Sequence, residues 1–342
     1  MSAELQQKWA YAFSEGDGKN KQLLGGKGAN LCEMTQIGLN VPPGFVITTE
    51  ACLHYLDSGG TSVPDDMMAQ VREHMAKVEA ETGKGFGDPE NPLLVSVRSG
   101  SAMSMPGMMD TILNLGLNAD TLRGEIEQTG DARFGYDAYR RFIQLFGKVA
   151  MGVPDEVFDA EFEAVKQAAH VKEDVGLSAT DLEDISERFL RVFREHTGRS
   201  FPEDPFEQLE IAINAVFGSW MGKRAVDYRT QFNITPEMAN GTAVNICTMV
   251  FGNRGDDSAT GVAFTRTPGT GEDGMYGEYL VNAQGEDVVA GIRTPQPLTL
   301  AERQSADNGL PSMEEVLPEM FTELDGIRER LESHYKDMQD ME

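Results

Sequence analysis

Apolar residues recur along this chain with two different periods, and the change from one to the other divides it into segments. Leu31, Met34 and Ile37 stand at helical spacing and Gly38 stands where a C′ residue belongs, so the pattern predicts a helix over 23–38. Val41-Pro42-Pro43-Gly44 reads as a turn and 45–48 as a short strand, with Thr49 capping a helix through Cys52 and Tyr55. A helix over 65–82 and a loop over 83–92 deliver the chain into an apolar strand, 93–97, which ends on Arg98. From 118 to 199 glycine is sparse and the pattern is helical. Tyr139, Phe142, Phe146 and Val149 form one stripe, and helices follow over 155–170 and 179–196, the second opened by a Thr180…Glu183 capping box. The aromatic stripe reads as core packing. A further helical pattern covers 202–228, with Leu209, Ile213, Val216 and Phe217 on one face. After a loop over 233–241 the texture becomes β, with strands predicted over 242–251, 261–266 and 275–282. Residues 295–318 read as a polar, Pro-containing connection. From 319 an amphipathic helix presents Phe321, Leu324, Ile327 and Leu331 on one face.

Composition narrows the chemistry. Lys and Arg number 29 against 56 Asp and Glu, a formal charge of −27. That balance excludes nucleic acid as a partner, because phosphate backbones are bound through net or patchy positive charge. A smaller polyanion would need a few local Lys or Arg groups, backbone N–H groups and a divalent metal, all acting against the overall field. Cys32, Cys52 and Cys247 lie far apart without CxxC spacing, which points away from a disulfide framework or a zinc site and toward a reducing cytoplasm. The N-terminal stretch has no apolar core of signal-peptide length and no later stretch approaches ~20 apolar residues, so no membrane is expected.

Three stretches carry candidate chemistry. The central one, 93–118, reads LLVSVRSGSAMSMPGMMDTILNLGLN. Arg98 at the end of a buried strand meets a small-residue turn, Ser99-Gly100-Ser101. A loop containing Met103, Met105, Met108 and Met109 follows, broken by Pro106-Gly107, and Asp110-Thr111 precede the next apolar run. Guanidinium offers a planar fork of donors and glycine lets backbone N–H groups approach, so this stretch suits an anion with several oxygens. The second, Gly25-Gly26-Lys27-Gly28, opens a helix and is either an anion site or a tight turn with a solvated lysine; its spacing is not that of a P-loop. In the third, Asp340 and Glu342 alternate as on one face of a strand. They are either a Mg2+-holding pair or part of a polar tail.

Taken in order, LLGGKGANLCEM, VPPGFVITTEAC, the central stretch, ATGVAFTRTP, GEYLVNAQGEDVVAGIRTPQP and KDMQDME closely resemble the N-terminal domain of the pyruvate, phosphate dikinase family, over essentially the whole chain. Relatives that use water as second acceptor follow the arginine with a different segment, so the Ser-Met-Pro-Gly-Met-Met-Asp-Thr version resembles the phosphate-using branch. The resemblance implies an α+β, ATP-grasp fold with ATP between two subdomains and a helical subdomain inserted between the nucleotide-binding halves. The expected division is 1–117 for the first part, 118–200 helical, 201–241 returning, and 242–342 for the second subdomain. The implied reaction sends the β-phosphoryl of ATP to a histidine of a separate domain and the γ-phosphoryl to inorganic phosphate, and pyruvate later becomes phosphoenolpyruvate.

By position, the resemblance implies that Lys27 binds ATP phosphates and that Arg98, the candidate catalytic residue, contacts the phosphates in flight. Gly107, Met108 and Thr111 belong to the covering loop, and Thr248, Met249 and Val250 lie along the adenine. Asp340 and Glu342 coordinate Mg2+, and Glu286 is a weaker candidate for the same site. Cys247 stands where relatives often carry glutamine. The chain is expected to be a piece of a homodimeric enzyme, without the phosphohistidine and pyruvate-binding domains and without the strand that follows KDMQDME. It would not complete the reaction alone. His54, His74, His170, His196 and His334 lack the Thr-Ser-His-Ala context of the phosphorylated histidine. A stand-alone nucleotide-binding module, a water dikinase and an acidic scaffold without ligand are the competing readings.

Overall fold

A computed structural model describes residues 7–61, 63–289, 293–305 and 309–342. In chain order the first elements are β1 (Ala10–Ala12), α1 (Lys21–Gln36), β2 (Gly44–Ile47), α2 (Thr49–Asp57) and α3 (Met67–Thr82). Then come β3 (Val95–Gly100), β4 (Thr111–Leu115), α4 (Ala119–Thr129), α5 (Ala132–Met151) and α6 (Asp155–Ala168). Next are α7 (Ala179–Thr197), α8 (Pro205–Ser219), α9 (Lys223–Gln231) and β5 (Ala243–Thr248). The remainder comprises β6 (Ala259–Arg266), β7 (Asp273–Val281), α10 (Gly285–Val289), β8 (Gln296–Pro297), α11 (Leu300–Ser305), α12 (Met313–Val316), α13 (Pro318–Tyr335) and β9 (Asp340–Met341). The fold is α+β, and its strands form two antiparallel sheets. No helix among the described residues is long and apolar enough to cross a membrane.

Contacts divide the chain into two compact units, Met1–Met249 and Val250–Glu342. In the first, the strand order is β1-β2-β5-β3-β4. β5 pairs with β2 on one side and with β3 on the other, so it is the central strand of this sheet. The expected boundary at 241/242 is therefore displaced: 242–249 belongs to the first unit, because backbone pairing on both edges ties β5 there. Phe45, Val46, Ile47, Val95, Val97, Ala243 and Val244 are fully buried, as expected of strands covered on both faces. Helix α8 packs on β3, β4 and β5, and α5 packs on β4 as well as on α7. The aromatic stripe of α5 is core as expected: Phe142 and Phe146 meet Phe201 edge-on with centroids 5.4 and 5.2 Å apart.

Several helix ends follow local chemistry closely. After α1, Gly38 N–H donates to Thr35 O and Leu39 N–H to Met34 O, the paired bonds that close a helix through a left-handed C′ residue. Two caps fall one or two residues earlier than the pattern predicts. Thr48, not Thr49, caps α2 by accepting from Ala51 N–H at 3.3 Å, while the Thr49 hydroxyl donates to Gln22 O. Ser178 and Asp181, not Thr180 and Glu183, form the capping box of α7. The single helix expected over 202–228 is two, since Gly222 ends the turn after α8 and opens α9.

In the second unit the sheet order is β8-β7-β6-β9. β6 and β7 form a long hairpin whose register shifts between Phe264 and Arg266. The connection over 295–318 carries β8, α11 and α12, short elements beneath the resolving power of a periodicity argument.

Candidate functional site

Arg98 does not end its strand, contrary to the sequence expectation. It lies inside β3, opposite Asn245 of β5 and Thr111 of β4. The pattern put the strand over 93–97 because apolar residues stop there, yet pairing continues through the small residues Ser99 and Gly100, whose backbones still meet β5. The arginine is thus held by ladders on both sides. Its Nε is buried and finds no hydrogen-bond partner among the described residues. A buried guanidinium N–H without a partner is costly unless a ligand supplies an acceptor.

The glycine-rich stretch comes to the same place. Helix α1 is broken at Gly25, which takes φ 69° and ψ 166°, and the helix resumes beyond it. A Cβ on Gly25 would stand 1.9 Å from Gly100 O, so the backbone of α1 rests directly on the end of β3. Gly26 N–H donates to Ser101 O at 2.8 Å, and Gly100 N–H to the Thr242 hydroxyl at 3.1 Å. Asn245, fully buried, stands under the junction. A Cβ on Gly28 would lie 2.7 Å from its Oδ1, and one on Gly100 would lie 2.7 Å from its Nδ2. The resumed helix therefore begins beside β3 with the exposed Lys27 in its first turn. Electrostatics tie the two cations together: burial pushes the Cys247 thiol up to about 11, while Arg98 and Lys27 both pull it down. Two positive charges and a helix N-terminus share one edge of a chain whose net charge is −27.

From Ser101 to Asp110 the chain forms a loop above β3 and β4. Met105 is buried and pegs it, Met108 N–H donates to Met105 O at 3.2 Å, and Gly107 is exposed at the tip. Thr111, half-buried, begins β4 opposite Arg98. Thr248 closes β5 with its N–H and its hydroxyl both donating to Pro43 O, at 3.0 and 2.8 Å, and Met249 N–H donates to Leu94 O at 2.9 Å. Val250 opens the second unit with its side chain largely exposed. The structure thus gathers Lys27, Arg98 and the loop of Gly107, Met108 and Thr111.

Within the second unit, β9 pairs with β6 through Asp340 opposite Phe264 and Met341 opposite Ala263. Met341 is buried while Asp340 and Glu342 are exposed, Glu342 lying just beyond the strand. Glu286 falls in α10, but its side chain lies outside the described residues.

The family model for the pyruvate phosphate dikinase AMP/ATP-binding domain matches residues 21–63 and 60–315. The chain belongs to this family. It is 56% identical over 332 residues to pyruvate, phosphate dikinase of Entamoeba histolytica, covering 97% of this chain and 36% of that protein. The dikinase of Rhizobium meliloti is 52% identical over 339 residues, 98% of this chain and 37% of that protein. Pyruvate, phosphate dikinase 2 of Zea mays is 51% identical over 329 residues, 96% and 35% respectively. The chain spans little more than a third of the length of these curated relatives.

Membership in the family leaves two features of the site that the motif reading missed. Asn245 reads in sequence as one polar residue inside an apolar strand; only the fold puts it beneath Gly28 and Gly100. Arg224 of α9 reaches the loop from more than a hundred residues away in sequence, and no local pattern in KRAVDYRTQ signals it.

Proposed function

We propose that this chain is the nucleotide-binding part of a pyruvate, phosphate dikinase with an ATP-grasp fold, and that it binds Mg-ATP and inorganic phosphate. The observation that carries the reading is the buried, unpartnered Arg98 Nε beside Lys27 and a loop of small residues. In this reading Lys27 holds ATP phosphates. Arg98 neutralises charge on the phosphoryl groups in transfer, and Gly107, Met108 and Thr111 cover them. Phosphoryl transfer needs mainly such positioning and charge neutralisation. Thr248, Met249 and Val250 are assigned to the adenine.

Asp340 and Glu342 fit a Mg2+ ion chemically: two exposed carboxylates two residues apart are hard oxygen donors, and Mg2+ on nucleotides is commonly held by one or two carboxylates together with phosphate oxygens and water. Bound there, the metal would supply further neutralisation of phosphate charge. Glu286 is assigned to the nucleotide site.

In the whole enzyme the β-phosphoryl passes to a histidine of a separate domain and the γ-phosphoryl to phosphate, leaving AMP and pyrophosphate. Phosphoenolpyruvate then forms at a third domain. Supplying a separate phosphohistidine domain to this chain tests the assignment. Release of AMP that depends on phosphate is expected, with no phosphoenolpyruvate formed from pyruvate by this chain alone. AMP release without phosphate would point instead to a water-using dikinase.

A further inference from the structure

A single arginine far along the chain ties down the loop that follows β3. The loop leaves the sheet after Gly100 and returns at Thr111. At its base Ser99 N–H donates to Asp110 O at 3.4 Å, and in its middle Met105 is buried. Its tip is open on the side-chain face: beyond its chain neighbours, nothing lies within 4 Å of where a Cβ on Gly107 would be. Arg224, in the first turn of α9, reaches across to it. Nη1 donates to Gly107 O at 3.2 Å and Nη2 donates to Asp110 Oδ1 at 2.8 Å. One planar group therefore joins the tip of the loop to its C-terminal base.

The arm that carries this arginine is itself anchored. Ala225 is fully buried, the Arg229 guanidinium lies over the Trp220 ring at 3.8 Å, and Arg229 Nη1 donates to Trp220 O at 2.9 Å. Asp110 is also an awkward neighbour for a polyanion. It immediately precedes Thr111, which pairs with Arg98, so a carboxylate belongs to the stretch assigned to cover phosphate. Arg224 holds that carboxylate in an ion pair at 2.8 Å and offsets its charge.

We propose that Arg224 is a positioning residue for the phosphate-covering loop: acting through Gly107 and Asp110, it fixes where the loop's N–H groups stand relative to Arg98 and cancels the Asp110 charge. Arg224 touches the loop and not the ligand. A lysine ammonium has donors enough but not the planar fork that reaches both acceptors with fixed geometry. The consequence for affinity rests on the nucleotide reading above; the ordering of the loop does not.

Hydrogen exchange of the chain without nucleotide tests the ordering directly. Arg224→Ala is expected to speed exchange of the Ser99 and Met108 amides by about threefold to tenfold, as for loss of a partly exposed charged fork, with no change in denaturation midpoint. Calorimetric titration tests the consequence. Arg224→Ala should weaken Mg-ATP binding by about threefold to tenfold, and Arg224→Lys should recover only part of it. Adding Asp110→Asn to Arg224→Ala should cost nothing further, since the pair acts as one unit. Unchanged exchange at Ser99 and Met108, full rescue by lysine, or losses that add in the double variant would each overturn the proposal. A wild-type chain that binds no Mg-ATP would defeat the nucleotide reading while the exchange comparison still decides the latch.

Discussion

Arg98 brings a permanent charge into a strand whose neighbours on the ladder are a buried asparagine and a threonine. An isolated charge half-buried in this way is tolerated when its donors find acceptors, and here one does not. The same economy of space governs Gly25. With φ 69° and Gly100 O only 1.9 Å from any Cβ, the position demands a missing side chain as well as a left-handed backbone. Gly25→Ala should destabilise the chain by about 2–3 kcal/mol, strain and displacement together. An unchanged chemical-denaturation midpoint would show that α1 can move off β3 at no cost. In the sequence the glycines of this stretch read as either an anion site or a tight turn. Their second role, letting the helix rest on the sheet, depends on Gly100, more than seventy residues away, and could not be read locally.

At the scale of elements, the helices after β4 are held by a buried charge network as well as by aromatic packing. Asp137 of α5 is buried against Arg140 and Arg141, with contacts of 2.7 and 3.0 Å. Burial alone would raise its pKa; the two guanidinium groups outweigh that and hold it below the ordinary aspartate value. A depressed carboxylate contributes stability that is fully present above its unfolded pKa, about 3.9, and is lost as pH falls through the lower folded value. Asp137→Asn should therefore cost about 3–5 kcal/mol at neutral pH, since it removes the buried carboxylate that faces the buried Arg140 and the half-buried Arg141. The gap from wild type should shrink as the pH is lowered below about 4. A gap that stays constant from pH 7 to pH 3 would contradict the assignment.

Elements with long periodic patterns, such as α5 and α7, were legible because burial of one face writes itself into the sequence. Cap positions slipped by one or two residues, as at Thr48 and Ser178, because adjacent hydroxyl and carboxylate residues offer equally good caps until the tertiary fold chooses. The membership of β5 in the first sheet was not legible. An apolar strand carries no mark of which strands it will join, and its pairing partners β2 and β3 lie well over a hundred residues upstream.

For the whole molecule, the charge of −27 sets the terms on which any polyanion binds. The field of the surface is unfavourable, so affinity must come from short-range groups placed close to the phosphates, the role proposed above for Lys27 and Arg98. The family resemblance was legible from motif order and is borne out by the family match. Calorimetric titration of this chain with ATP and Mg2+, alongside Arg98→Met, which keeps the apolar stem, tests the central claim most directly. The account predicts saturable one-to-one binding that is lost in Arg98→Met while the denaturation midpoint is retained. Absence of binding by the wild-type chain, or undiminished binding by the variant, would contradict it.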